Sequence, residues 1–159
     1  MKLIRYRPEY FEPMLDLHRS ARLGLEKLGL DISISESEEE TDLRDIEQVY
    51  LQSGGEFLIG ILDREVVAMG GFQRLSRDSA ELRRMRIRTD LQDQGFGSQL
   101  LAALERMAFK CGIRKLSFET AKARSLTLEF YHKHGYTETG AGFYGNVETA
   151  HFSKTLIEQ

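Results

Sequence analysis

The sequence has a single cysteine, only two prolines and no long apolar run, and these scarcities exclude whole classes of protein. One cysteine, Cys111, cannot form an intramolecular disulfide or provide a thiolate zinc site. No stretch approaches the length of a transmembrane helix, and the N-terminal residues lack the apolar core of a signal peptide. We therefore expect a cytoplasmic protein that does not bind a membrane.

The chain also lacks a large excess of charge of either sign. Its net charge is −3 at pH 7 and its sequence pI is about 5.9, so nothing global attracts nucleic acid, and no such partner is expected. Hydrophobic residues make up 41% of the 159 residues, which is enough for a buried core. We expect residues 1–159 to form one domain.

Apolar periodicity predicts a mixed α/β fold. Helices are predicted over Glu9–Leu25, Asp42–Leu51, Phe96–Cys111 and Ser125–His134. Strands are predicted over Lys2–Tyr6, in "FLIGIL" and "EVVAMGGF" on either side of a turn at Asp63-Arg64, over Ala80–Arg88 and Lys115–Thr120, and in "YTET" and "TAHFSKTL". Gly140–Asn146 is predicted as a loop. Both hairpin runs are apolar on both faces, so we expect the sheet to be covered on both sides.

The strand Ala80–Arg88 has an irregular side-chain parity. Met85 and Ile87 share one face, whereas Leu82 has the opposite parity. One extra residue around Arg83-Arg84 would bring all three side chains to the same face, which describes a β-bulge. The alternative is that Leu82 faces the other layer. Bulges often lie beside functional sites.

The helix predicted from Phe96 has a strong apolar stripe: Leu100, Leu101, Leu104, Met107, Ala108 and Cys111. The side chains predicted to point away from the core are Gln99, Glu105, Arg106 and Lys110. Cys111 lies about 20 Å along the helix from its start, at ~1.5 Å per residue, so it is interpreted as a core cysteine and not as a nucleophile.

The segment "QDQGFG", Gln92–Gly97, lies where a strand gives way to that helix. Free N–H groups at a helix N-terminus attract anions, and glycines permit close approach, so the segment predicts a phosphate site. A nucleoside triphosphate loop is disfavoured because no lysine follows the second glycine. A dinucleotide fold is disfavoured because "LRRMRIR" is half polar and the glycines follow it late. The remaining candidate is the pyrophosphate of coenzyme A.

The segment Gln92–Gly97 and its neighbours resemble those of a known family. "QDQGFG" resembles the Q/R-x-x-G-x-G/A signature of the GNAT-type N-acetyltransferases. The strand "AELRRMRI" precedes it, an amphipathic helix follows, and "LEFYHKHGY" resembles the family's "YxxxGF" segment. The resemblance covers nearly the whole chain. It implies a mostly antiparallel central sheet, flanked by helices, in which two neighbouring parallel strands splay apart around acetyl-CoA.

The resemblance also implies which residues hold acetyl-CoA, without a metal. The backbone of Met85, Arg86 and Ile87 would pair with the pantetheine arm like an added strand. The pyrophosphate would be held by a turn whose members are Gln92, Gln94, Gly95, Phe96, Gly97 and Ser98. Many members carry an asparagine near the pantetheine where this sequence has Arg124. The two alternatives for Arg124 are a contact with the phosphates of the coenzyme and simple solvation at the surface.

The same resemblance implies direct attack of an amine on the thioester. Tyr131 matches the tyrosine that often protonates the departing thiolate, and the alternative is a tyrosine that only packs beneath the coenzyme. Glu81 matches a position that serves as general base in some members, and Glu119 is the alternative carboxylate. The runner-up function is a non-catalytic acyl-CoA-binding or regulatory module on the same fold.

The acceptor is expected to be a small-molecule amine or a peptide amine, and a homodimer is compatible with the resemblance. The acidic run Glu36–Glu40 faintly favours a cationic acceptor. His18 and His151 are candidates to line the acceptor pocket, as are Phe143 and Tyr144. The remaining histidines, His132 and His134, are interpreted as solvated or capping residues.

Overall fold

The computed structural model describes the backbone of residues 1–27 and 40–158, and the side chains of residues 1–21 and 40–158. The acidic run Glu36–Glu40 therefore lies outside the described residues except for Glu40. The Glu40 carboxylate is ion-paired with Arg19 at 2.9 Å.

A seven-stranded sheet in the order β1-β2-β3-β4-β5-β7-β6 forms the centre of the protein. Its strands are β1 (Lys2–Arg5), β2 (Glu56–Leu62), β3 (Glu65–Arg74), β4 (Ser79–Ile87), β5 (Lys115–Ala121), β6 (Thr137–Tyr144) and β7 (Val147–Thr155). Every neighbouring pair is antiparallel except β4 and β5, which are parallel. The predicted mixed, mostly antiparallel sheet is confirmed.

In the part of the chain that the structure describes, three α-helices flank the sheet: α1 (Phe11–Lys27), α2 (Phe96–Lys110) and α3 (Ser125–Lys133). Short 3₁₀ turns cover Pro8–Tyr10, Leu43–Asp45 and Thr89–Leu91. The helix predicted over Asp42–Leu51 is wrong in type, because the 3₁₀ turn is followed by a π-helical turn over Glu47–Leu51. Apolar spacing in so short a segment does not distinguish these turns from an α-helix.

Each face of the sheet packs against its own core, as the apolar hairpin strands predict. The first core contains α2 and the aromatic residues of β5, α3 and β7. The second core lies between the sheet, α1 and the Glu47–Leu51 turn. Neighbouring residues of β3 enter different cores, since Ala68 lies in the first and Met69 in the second.

The two hairpin turns differ in how well the sequence predicts them. At Asp63-Arg64 both residues have positive φ, 50° and 67°, which is the backbone of a tight hairpin turn and confirms the prediction. The loop predicted over Gly140–Asn146 is wrong. β6 continues to Tyr144 because its ladder with β7 supplies the hydrogen bonds, and only Gly145-Asn146 turns.

The polar and apolar sides of α2 also differ from the prediction at two residues. Glu105, predicted to face solvent, is only 4% exposed. Tyr136 donates to it at 3.0 Å and Lys154 at 3.0 and 3.1 Å, because the side chains of Tyr136, just before β6, and of Lys154 in β7 reach this side of α2. Cys111, predicted to be buried, is exposed since it caps the helix beyond its last turn. Across the described residues, no helix is both long and apolar enough to cross a membrane.

Candidate active site

The register between β3 and β4 shifts in the middle of the sheet, between Met69 and Gly71. β4 has one residue more than β3 in this interval, and Arg84 there has left-handed backbone with φ of 60°. This is the predicted bulge. It places the flanking apolar side chains against the same core: Leu82, Met85 and Ile87.

The side chain of the bulged residue, Arg84, is completely buried and ion-paired. It donates to both carboxylate oxygens of Asp42, at 2.7 and 3.1 Å, and Tyr50 donates to the same carboxylate at 2.7 Å. Burial opposes ionisation of Asp42, but these bonds outweigh it and hold the pKa of that carboxyl below its usual range. The bulge is therefore fixed from the α1 side of the sheet.

Beyond the bulge, the parallel strands β4 and β5 separate. They pair only through Ser79–Glu81 and Lys115–Ser117, so the second half of each strand has no ladder with the other. The Arg88 N–H donates to Val67 at 2.8 Å, and this register turns the backbone groups of Ile87 away from β3, toward the opening. The splayed pair predicted from the resemblance is confirmed.

Two side chains bond to backbone carbonyls of this half-strand. Arg86 donates to the Met85 carbonyl at 3.0 Å. Gln92 lies 3.5 Å from the Ile87 carbonyl, a long and weak contact. An added strand between β4 and β5 would use these carbonyls in place of the two side-chain contacts.

Next to the opening, the N-terminus of α2 presents free backbone donors. Gly95 is its N-cap in left-handed backbone, with φ of 87°, and the first helical bond runs from Gln99 N–H to the Gly95 carbonyl at 3.0 Å. Within the described chain, no acceptor bonds to the N–H groups that precede Gln99 in this turn: those of Gln94, Gly95, Phe96, Gly97 and Ser98. This is the geometry of an anion site.

The two glycines of the signature have different surroundings. A Cβ built on Gly95 would meet nothing within 4 Å, so this glycine borders open space in front of the donors. A Cβ on Gly97 would lie 3.3 Å from the Phe130 ring, so this glycine permits α2 to pack closely on α3. Gln92 and Gln94 are exposed at the same turn, and Gln94 donates to the Asp90 carbonyl at 3.3 Å.

Ser98, in the first turn of α2, is bonded to a histidine that sequence reasoning set aside. Its hydroxyl lies 2.8 Å from Nε2 of His134, and Nδ1 of the same ring lies 2.7 Å from the Phe130 carbonyl. His134 caps the end of α3. A hydrogen-bonded chain therefore joins the first turn of α2 to the helix that carries Tyr131.

Tyr131 and the two candidate carboxylates lie on opposite faces of the sheet. Tyr131 is 6% exposed and packs on Phe118 of β5, with ring centroids 4.0 Å apart. Glu119 follows Phe118 in the strand and thus points to the other face. Glu81 pairs with Ser117, which shares the face of Glu119, so both carboxylates face the α1 side where β4 and β5 part.

The partners of these carboxylates are also on that side. His151 of β7 lies 3.5 Å from Glu119, and both side chains are partly exposed. Arg83 lies 3.7 Å from Glu81 and donates to Gln73 at 2.9 Å. The sheet face beside the opening therefore contains both positive and negative groups.

His18 of α1, a sequence candidate for the acceptor pocket, is 0% exposed. In the described residues neither ring nitrogen has a hydrogen-bond partner. Burial, together with the positive charges of Arg86 and Arg84, lowers the pKa of His18 to about 4. His18 is thus neutral and buried close to the charges of Arg84 and Arg86.

Arg124 immediately precedes α3 and is partly buried. Its Nε is buried and bonds to no acceptor in the part of the chain that the structure describes. As for metals, the described residues contain no group of three or more His, Cys, Asp or Glu side chains that could hold an ion.

These features have a counterpart among known proteins. Residues 14–136 match the model of the Acetyltransferase (GNAT) family. The chain belongs to this family. A GNAT acetyltransferase uses acetyl-CoA, so this protein is an acetyl-CoA-dependent acetyltransferase.

Solved GNAT structures share the fold over almost the full chain. A GNAT acetyltransferase from Staphylococcus aureus Mu50 has a TM-score of 0.83 and 23% identity, covering 98% of this chain and 99% of that one. Ard1 from Thermoplasma volcanium has a TM-score of 0.78 and 16% identity, with 99% and 98% covered. An aminoglycoside 6'-N-acetyltransferase complexed with coenzyme A has a TM-score of 0.75 and 15% identity, with 100% and 99% covered. No curated protein matches the sequence.

Sequence reasoning missed three side-chain interactions of this GNAT protein. The bidentate Arg84–Asp42 pair joins residues far apart in the chain, and only the odd parity of β4 pointed toward it. The role of His134 had no sequence signal, because its partner Ser98 lies on another helix. The burial of Glu105 did have a sequence signal, since Glu105 follows Leu101 at i+4 on the buried stripe.

Proposed function

We propose that this GNAT protein transfers the acetyl group of acetyl-CoA to a primary amine, with the amine nitrogen attacking the thioester carbonyl directly. The observation that carries the proposal is the separation of β4 and β5 with Tyr131 on one face and Glu81 on the other. An acid and a base on opposite sides of one opening suit this reaction, because the attacking amine loses a proton and the departing thiolate gains one.

The free donors of α2 support the proposed pyrophosphate contact. The N–H groups from Gln94 to Ser98 have no acceptor in the described chain, and a Cβ on Gly95 would meet nothing within 4 Å. The α2 dipole adds to the positive field of these groups. Gln92 lies exposed beside them. We assign the pantetheine arm to the backbone of Met85, Arg86 and Ile87, and Arg124 to the phosphates, where its buried Nε would gain an acceptor.

In the proposed chemistry, Glu81 removes a proton from the attacking amine, directly or through a water, as the nitrogen forms its bond to the carbonyl carbon. The carbon–sulfur bond then breaks, and Tyr131 donates its phenolic proton to the departing sulfur. Glu119 is the second carboxylate on the same face. The acceptor is a small-molecule amine or a peptide amine.

The experiment measures acetyl-CoA consumption and product by mass spectrometry over a panel of amines, amino acids, aminoglycosides and peptide N-termini. We expect at least one acceptor to be acetylated. Tyr131→Phe should lower kcat by about 10²–10⁴-fold and leave acetyl-CoA affinity little changed, because the ring packing on Phe118 remains. Glu81→Gln should lower kcat similarly, with a partial recovery at higher pH.

The control for Tyr131→Phe is Tyr10→Phe, which makes the same change of side chain in the turn before α1. Phe130→Tyr is not suitable as a control, because the Phe130 ring lies against Gly97. Tyr10→Phe should behave as wild type. Full activity in Tyr131→Phe would remove the proton-donor role. Binding of acetyl-CoA with no acetylated product from a broad panel would instead indicate a non-catalytic module.

A further inference from the structure

The Ser98 hydroxyl and Nε2 of His134 are hydrogen-bonded, and the protonation state of the ring decides which of the two donates. This affects coenzyme binding because Ser98 lies in the first turn of α2. The Phe130 carbonyl can only accept, so Nδ1 of His134 must carry a proton and donate at 2.7 Å. In the neutral ring, Nε2 is then unprotonated and accepts the Ser98 hydroxyl proton at 2.8 Å. In that state Ser98 presents only lone pairs to the anion-binding turn.

Protonation of His134 reverses the direction of this bond. Nε2–H then donates to the Ser98 oxygen, and the hydroxyl proton becomes free to donate to an anion in front of α2. The ring also brings a positive charge next to the same turn. An anion at the turn and a proton on His134 therefore stabilise one another.

We infer that His134 is a coenzyme-binding residue that acts through Ser98, and that the pyrophosphate binds together with uptake of a proton by His134. The inference rests on the proposed placement of the pyrophosphate at the α2 N-terminus. His134 is in this sense a positioning residue: it does not touch the thioester, and it sets whether Ser98 can donate.

Other charged groups surround this end of α3. On α3 itself, His132 and Lys133 are exposed. The side chain of Lys154, in β7, lies next to Gly135. Lys154 is also paired with Glu105 of α2 at 3.0 Å. None of them is hydrogen-bonded to His134 in the described chain, so the Ser98 contact is the route that links the ring to the turn.

The test uses 3'-dephospho-CoA as the probe. The 3'-phosphate of coenzyme A is a monoester whose own second pKa is about 6 and would obscure the signal, whereas a pyrophosphate diester does not titrate between pH 6 and 8. Isothermal titration calorimetry in two buffers of different ionisation enthalpy gives the number of protons taken up on binding. The dissociation constant is measured across the same pH range.

For the wild-type protein we expect uptake of a fraction of one proton and weaker binding as pH rises, by up to about tenfold per pH unit. His134→Gln should bind with no proton uptake and with an almost pH-independent affinity, since the amide donates to Ser98 without titrating. Ser98→Ala should reduce the uptake. His132→Gln, on the same helix and exposed, is the matched control and should keep the wild-type profile.

The possible outcomes distinguish a failure of this inference from a failure of the proposed function. If dephospho-CoA binds without proton uptake, or if uptake persists in His134→Gln, the inference is wrong while the coenzyme site stands. If uptake disappears in His132→Gln instead, the coupled group is misassigned and the inference fails. If neither coenzyme A nor dephospho-CoA binds the folded wild-type protein, the proposed function itself fails.

Discussion

Arg84 and Asp42 form a buried bidentate ion pair, with N–O distances of 2.7 and 3.1 Å, at the residue where β4 bulges. The pair ties the bulge to the segment before β2. It thereby couples the stability of the fold to the opening between β4 and β5. Removing one partner would leave the other charge buried without compensation.

Asp42→Asn should therefore destabilise the protein by about 3–5 kcal/mol, the usual cost of breaking a buried pair. The loss is measured as the free energy of unfolding in urea. Asp90→Asn, which removes an exposed partner of Arg88, is the control and should have little effect. Equal stability of Asp42→Asn and wild type would show that Arg84 finds another partner and that the pair does not hold the bulge.

Gly95 and Gly112 provide a matched pair for the anion-binding turn. Their φ values are 87° and 88°, and a Cβ on either would meet nothing within 4 Å. Alanine at each should cost about 1–2 kcal/mol of stability through left-handed backbone strain. Only Gly95→Ala should also weaken coenzyme A binding, because its Cβ enters the space in front of the α2 donors.

Calorimetric titration of coenzyme A into both folded variants checks this prediction. We expect at least a tenfold increase in dissociation constant for Gly95→Ala and none for Gly112→Ala. The same affinity in both variants would place the pyrophosphate elsewhere. A loss in both would point to a general effect of strain in α2.

His18 should make the protein less stable as pH falls. Its pKa is about 4 when folded against an ordinary value of 6.5, so between these values the unfolded chain binds a proton that the folded chain does not. Stability from this group is complete above pH 6.5 and is lost as pH falls toward 4, by at most about 3 kcal/mol. Arg84, Arg86, Glu40 and Asp42 are the charged groups that act on this ring.

His18→Leu removes the titrating group and fills a similar volume with apolar atoms. The free energy of unfolding of this variant should change less between pH 6.5 and 4 than that of wild type. His132→Gln should retain the wild-type slope since His132 is exposed. Parallel curves for wild type and His18→Leu would refute the assignment, because the carboxylates titrate in both.

Cys111 should react in the native protein. It is exposed at the end of α2, so a thiol reagent such as 5,5'-dithiobis(2-nitrobenzoate) should label it without denaturant, and Cys111→Ser should abolish the labelling. Labelling only after unfolding would restore the sequence interpretation of a core cysteine. Cys111→Ser is also the suitable background for thiol-release measurements with acetyl-CoA.

Much of the fold was predictable because it depends on local patterns. The period of α2, the tight turn at Asp63-Arg64 and the parity of β4 each have a local physical cause, and all three were confirmed. The order of the Gln92–Gly97 segment and the strand before it indicated the family. The assignments of Tyr131, Glu81 and the coenzyme-binding residues stay predictions.

The errors arose where distant strands decide the environment. Gly140 and Gly142 looked like loop residues, but pairing with β7 extends β6 through them. Glu105 looked like a solvated residue, but Tyr136 and Lys154 arrive from other elements and make its burial favourable.

The sequence by itself indicated the family, the position of the glycine turn Gln92–Gly97 before α2 and the presence of the bulge, since each depends on the order and period of neighbouring residues. Only the tertiary structure decided how these parts work together. It placed Tyr131 and Glu81 on opposite faces of the splayed strands, Asp42 under Arg84, and His134 against Ser98. Such contacts join residues far apart in the chain, and their energies depend on burial, which local sequence does not specify.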